Sequence, residues 1–188
     1  RMAMGLGTEV VVLERSIPRM RQIDEVTGGR VITRHSSLHA IEDELPKADV
    51  VIGAVLTPGA EAPTLVRRDQ LASMKKGSVL IDVAIDQGGC FETSRPTTHD
   101  QPTYVVDDVI HYCVGNMPGA VPRTSSEALN NATLPFGLAL ADRGLEALRA
   151  DPHLAKGLNV LKGEITHPAV AQALGMDWRD PFGVWAHG

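Results

Sequence analysis

Aromatic residues are scarce, at 4% of the 188-residue chain, so a core has to rest on Val, Leu, Ile, Ala and Met. Hydrophobic residues at 43% are enough to build one. Cysteine is almost absent. Cys90 and Cys113 lie far apart and form no C-x-x-C pair, which argues against a zinc site and for two buried or half-buried free thiols in a reducing cytoplasm. No metal site is expected. There is no run of Lys and Arg and the formal net charge is -5, so the clustered basic footprint of a nucleic-acid binder is missing. The longest apolar stretch, residues 50–56, falls far short of the ~20 residues that cross a bilayer, so no membrane contact is expected. Residues 1–7 lack the apolar centre of a signal peptide. The remaining absence concerns glycine: no G-x-G-x-x-G turn stands before the first strand.

What is present alternates. Residues 1–6 read as the end of a helix capped at Gly7, so a helix and something before it are expected to precede the strand at 8–13. A helix over 17–26 stops at Gly28-Gly29, and a short strand follows at 30–33. A helix over 37–45 has Ser36 or Ser37 as its N-cap. An apolar strand at 49–55, a helix over 67–75 closed by Lys75-Lys76-Gly77, and a strand at 78–83 come next. Two further strands are expected at 103–106 and 109–114. This rhythm predicts an α/β fold: a doubly wound, Rossmann-like parallel sheet, incomplete at its N-terminus, with helices on both faces. Pro118, Pro122 and polar residues 123–126 break the rhythm, and a domain boundary is expected near Pro122. Residues 1–122 form the first domain and 123–188 a helical part of a second. Helices are expected over 126–143, kinked at Pro135, and over 145–149 and 168–174; the tail 177–188 shows no periodicity. The long helix should carry an apolar stripe of Leu129, Ala132, Phe136 and Leu140, reaching Leu145.

In such sheets ligands bind beyond the carboxyl ends of the strands. The first strand ends at Glu14, a carboxylate able to accept from both hydroxyls of an adenosine ribose and to repel a 2′-phosphate; it also reads as a solvated acid at a strand end. Ser36 and Ser37 suit a ribose contact or a helix cap. Val55-Leu56-Thr57-Pro58-Gly59 presents apolar residues fit for a base or nicotinamide ring, or for plain core. Val83-Ala84-Ile85-Asp86-Gln87-Gly88-Gly89 places an acid before two glycines, fit for proton transfer, for a ribose hydroxyl, or for an ordinary turn. Val114-Gly115-Asn116-Met117 offers an amide suited to a carboxamide.

Long stretches also resemble bacterial alanine dehydrogenases: "ADVVIGAVLTPGAEAP" (48–63), "DVAIDQGGCFETSRPTTHD" (82–100), "PTYVVD" (102–107), "HYCVGNMPGAVPRTS" (111–125), "ALNNATLPF" (128–136) and "LAKGLNV" (154–160). The NAD-binding subunit of proton-translocating transhydrogenase, a relative of the same fold, is the second reading; a truncated remnant without activity is the third. The resemblance implies reversible, NAD-dependent oxidative deamination of L-alanine to pyruvate and ammonia, in a cytoplasmic homohexamer. It implies that 123–188 is the C-terminal share of a substrate domain built from both chain ends. The family's catalytic His and pyruvate-binding Arg and Lys match nothing in this chain, which alone is expected to be inactive. By motif match Glu14 takes the place of the ribose-binding acid, usually Asp, and Arg19 that of a basic residue near the adenosine. Ser36, Val55, Leu56, the Val83, Ala84, Ile85 and Asp86 segment, Arg95, and Val114, Gly115, Asn116 and Met117 match cofactor contacts. Gly115 stands where Ala is common. Asp86 matches an acid beside the nicotinamide with a role in catalysis or ribose binding. His99 and His111 read as structural; His35, His39, His153, His167 and His187 read as surface residues.

Overall fold

A computed structural model describes residues 1–57 and 61–186. Pro58 and Gly59, expected in the exit of the third strand, and His187 lie outside the described residues. The chain opens with a short helix α1 (Met2–Gly5), and Gly7 follows at φ +81°. β1 (Val11–Glu14) starts three residues later than the pattern predicts. α2 (Ile17–Thr27) begins at Ser16, whose Oγ accepts the Arg19 N–H, and ends at Gly28 in the left-handed region. Gly29 is also at positive φ, and this two-glycine turn delays β2 to Ile32–His35. β1 and β2 pair in parallel, with Glu14 opposite His35.

α3 (Leu38–Glu44) is capped by Ser37, whose side chain accepts the Ala40 N–H. β3 (Val50–Gly53), β4 (Val79–Asp82), β5 (Thr103–Val106) and β6 (Val109–Tyr112) form a second sheet in the order β3-β4-β6-β5. Its first three strands are parallel, as their unbroken apolar runs predict, but β5 returns antiparallel to β6. Asp107 and Asp108, both at positive φ, make the two-residue turn between them. The helix expected over 67–75 is instead a 3-10 segment, Arg68–Ser73. The Gln70 side chain accepts the Arg67 N–H at its start, and Met74 is already extended at its end, so too few residues remain for α-helical turns.

Each sheet is separate in its hydrogen bonding, but they share packing. Ile41, Leu45, Val66, Leu71, Met74, Leu80, Ala84, Cys90, Phe91 and Val109 form the core, with Leu13 of β1 and Val51 of β3 against it. One face of β3 stays open: Val50 and Ile52 are more than half exposed.

The polar stretch expected to break the rhythm is helical. α4 runs Pro122–Arg143 and continues through Pro135; it can start at Pro122 because Pro suits the first helical position, and Arg123 pairs with Glu127 one turn on. No residue of α4 is buried. Its exposed apolar residues include Leu134 and Leu138 besides Leu129, Phe136 and Leu140, a wider face than the expected stripe. Beyond it lie α5 (Glu146–Ala150), α6 (Pro152–Ala155), a hairpin of β7 (Val160–Leu161) and β8 (Glu164–Ile165), and α7 (Pro168–Leu174). The tail is not structureless: α8 spans Pro181–Ala186, with Asp180 Oδ2 accepting the Gly183 N–H at 2.7 Å. No helix among the described residues is long and apolar enough to cross a membrane.

Candidate nucleotide site at the carboxyl ends of the strands

Glu14 closes β1. Its Oε1 accepts the N–H groups of Ser16 at 2.9 Å and Arg15 at 2.6 Å. These two bonds, Ser16 first, hold the carboxyl below its usual range, and the Arg19 charge adds to them. The group is therefore a fixed acceptor at a strand tip. Ser36 N–H donates to the Glu14 carbonyl at 3.0 Å, so β1 and β2 set Glu14 and Ser36 side by side. Since Ser37 serves as the cap, Ser36 is not needed for it. The Arg19 guanidinium lies along α2, donating to Gln22 Oε1.

The second group lies on the other sheet. Asp82, the last residue of β4, caps the 3-10 turn Val83–Gln87, which ends at Gly88 with φ +90°. The turn divides its residues: Val83 and Asp86 are exposed, whereas Ala84 and Ile85 are buried, so of the expected Val83–Asp86 contact segment those two have only backbone to offer a ligand. Val114 is likewise fully buried. Beyond it Gly115, Asn116 and Met117 form the loop leaving β6, with Asn116 in the left-handed region. A Cβ built at Gly115 would stand 3.4 Å from Asp86 Oδ1, so the Asp86 turn and the Asn116 loop touch. His99 Nε2 donates to the Asn116 carbonyl at 3.1 Å, from the surface rather than from a core. Val55 is half-buried against the core and Leu56 is exposed at the exit of β3. Gln87 Oε1 is buried with no hydrogen-bond partner among the described residues.

Arg95 is exposed, its guanidinium 3.9 Å above the Tyr104 ring, and its N–H donates to the Tyr104 hydroxyl at 2.8 Å. Beneath it sits a buried polar cluster, in which His111 is structural as expected. His111 is fully buried, stacked on Tyr104, with Nδ1 donating to the Val109 carbonyl at 3.0 Å and Nε2 2.7 Å from Thr93 Oγ1. Burial holds its pKa below the ordinary value. Cys90 and Cys113 are buried free thiols, as the spacing predicts. Burial, with the Asp82 charge beside it, pushes the Cys90 thiol up, so it is not a nucleophile. Asp82 itself is fully buried and was read only as strand. The signal was an acid ending an apolar run. His167 is half-buried rather than a surface residue, with Nδ1 buried and unpartnered among the described residues; His35, His39 and His153 are exposed. Among the described residues no three His, Cys, Asp or Glu side chains gather as a metal site requires.

Polar groups gather at the carboxyl ends of successive parallel strands, where open α/β sheets place their ligand sites. The family is specific. Residues 1–168 match the family described as alanine dehydrogenase/PNT, C-terminal domain, and the chain belongs to it. It is 60% identical over 179 residues, 95% of its length, to an alanine dehydrogenase of Halomonas elongata. It is 51% identical over 187 residues, 99% of its length, to that of Mycobacterium tuberculosis. A solved L-alanine dehydrogenase superposes on 93% of the chain with a TM-score of 0.80 and 49% identity. A transhydrogenase from Sinorhizobium meliloti covers 89% with a TM-score of 0.68 but 24% identity, a likeness of fold. The chain spans about half the length of the relatives it matches, 48% and 50% of the two dehydrogenases.

Proposed function

We propose that this chain supplies the nucleotide-binding domain of an NAD-dependent alanine dehydrogenase, which interconverts L-alanine with pyruvate and ammonia. The observation that supports this most is the identity of 51–60% to alanine dehydrogenases over nearly the whole chain, loops of Asp86 and Asn116 included. NAD, when bound, accepts the hydride from the substrate α-carbon. The chain's own residues bind and orient it. Glu14 accepts from the ribose hydroxyls with Ser36 beside it, and its fixed negative charge disfavours a 2′-phosphate. Leu56 and Val55 flank a ring. Asn116 pairs with a carboxamide, next to Met117 and the small Gly115. Asp86 takes a ribose hydroxyl or a substrate proton at its carboxylate, and Val83 borders it. Ala84, Ile85 and Val114 support these loops from the core. Arg95 meets a ligand by leaving the Tyr104 ring, and Arg19 by releasing Gln22.

We take residues 1–122 as this domain and 123–188 as part of a substrate domain, in a cytoplasmic homo-oligomer, a hexamer by family. The transhydrogenase reading rests on likeness of fold. The test is NADH formation by the full-length protein on addition of L-alanine. Its absence, with hydride exchange between NADH and NADP instead, would favour the transhydrogenase.

A further inference from the structure

The turn that presents Asp86 and the 90–94 loop both hang on one carboxylate. Asp82 is fully buried. Its Oδ1 accepts the Ala84 N–H at 3.0 Å and lies 3.4 Å from Cys90 Sγ. Its Oδ2 accepts the Cys90 N–H at 2.8 Å and the Ser94 hydroxyl. The Ala84 contact sets the first turn of the segment that presents Asp86. The Cys90 and Ser94 contacts set the loop that leads to Arg95. Space around this hub is closed. A Cβ at Gly89, whose φ is +83°, would come within 2.9 Å of Asp82 Oδ2 and 2.8 Å of Ser94 Cβ. Burying a charge with hydrogen bonds alone is expensive, and an apolar side chain would fill the site without that cost. What a carboxylate adds is acceptors on both oxygens and no donor.

We propose that Asp82 is a positioning residue that fixes the orientation of Asp86 by tying the Val83–Gln87 turn to the 90–94 loop. The inference rests on Asp86 acting in the alanine reaction as set out above. An amide at position 82 has one acceptor oxygen and an NH₂ that only donates. However it is turned, its NH₂ faces a backbone N–H, that of Ala84 or that of Cys90. One of the two loops is then released while side-chain volume is unchanged.

The experiment is a double-substitution cycle in the full-length protein. kcat and KM for alanine-dependent NAD reduction are measured for wild type, Asp86→Asn, Asp82→Asn and the pair, with unfolding midpoints and NADH-binding stoichiometry for each. Asp82→Asn should lower kcat about tenfold per bound nucleotide, since small misplacements of a catalytic group cost this much or more. In the Asp86→Asn background it should change kcat less than about twofold. Ser94→Ala, which removes one donor and keeps the carboxylate, should show the same pattern with a smaller loss, and carries the test if Asp82→Asn does not fold. Equal fold-losses in both Asp86 backgrounds would make Asp82 merely structural and overturn the inference while leaving the function intact. No effect of Asp86→Asn on kcat or on nucleotide binding would instead overturn the reading of Asp86, and the inference with it.

Discussion

Gly53 ends β3 opposite Asp82 of β4, and the register allows no side chain there. A Cβ at this position would stand 2.1 Å from Cys90 Sγ, 2.7 Å from Phe91 Cζ and 3.1 Å from Phe91 Cε1. Cys90 is 0% and Phe91 4% exposed, so neither has free space to turn into. The φ of Gly53 is one an L-residue accepts, so Gly53→Ala isolates overpacking from backbone strain. Overpacking of a well-filled core costs about 1–3 kcal/mol, and contacts this short put the substitution at the upper end. At about 2–4 °C per kcal/mol, the unfolding midpoint should fall by roughly 6–12 °C. Combining it with Cys90→Ala removes the closest clash but leaves Phe91, so the loss should shrink without vanishing. Gly137 in α4 has nothing within 4 Å of its built Cβ, and Gly137→Ala should raise the midpoint slightly, by the ~0.5–1 kcal/mol of helix preference. Thermal unfolding of the full-length protein by circular dichroism reads all three variants against wild type. A Gly53→Ala midpoint at or above wild type would show that the β3 exit is loosely packed and that the Asp82 hub is not confined.

Replacing Glu14 with Ser should weaken NAD and narrow its preference over NADP by ~1–3 kcal/mol, read as the ratio of kcat/KM for the two cofactors; an unmoved ratio makes Glu14 a solvated acid. His111 binds a proton less readily folded than unfolded, so the stability it confers is present above pH 6.5 and declines as pH falls below it. His111→Asn should flatten that decline in unfolding midpoints, and an unchanged slope refutes the assignment. The 188-residue chain by itself should associate and bind apolar dyes through α4, and Leu134→Lys with Leu138→Lys should reduce both. A monodisperse, dye-silent wild type in light scattering would contradict this.

Strand identity was legible because β1, β3 and β4 are apolar runs bounded by turn residues, and the pattern at 79–82 admits little else. Boundaries were less so. Two positive-φ glycines at 28 and 29 push the strand start back, and the extended backbone of Met74 cuts the expected helix to a short 3-10 segment. Glu14, half-buried, and the exposed Asp86 and Asn116 were legible as polar groups at strand exits. Asp82 was not, because its meaning comes from Cys90 and Ser94, eight and twelve residues away, and no local periodicity carries such a contact. The reach of α4 back to Pro122 was hidden by two prolines, one of which favours a helix start.

The Asp107-Asp108 turn also bears on the order in which the sheet can assemble. A two-residue hairpin closes locally, on the order of 1–10 microseconds, whereas β3, β4 and β6 meet only after the chain between them has been drawn in. Lys76 Nζ lies 2.9 Å from Asp108 Oδ2 and Arg68 Nε 3.4 Å from Asp107 Oδ2, but both cations arrive with later contacts, so the hairpin must form while its two acids still repel. Once formed, β5 occupies one ladder of β6 and leaves only the other open to a second chain while β4 is still absent. The antiparallel edge is then the first part of the sheet to exist. Pulse-labelled hydrogen exchange should find amides of β5 and β6 protected before those of β4, and protection of all three in one step would rule this sequence out.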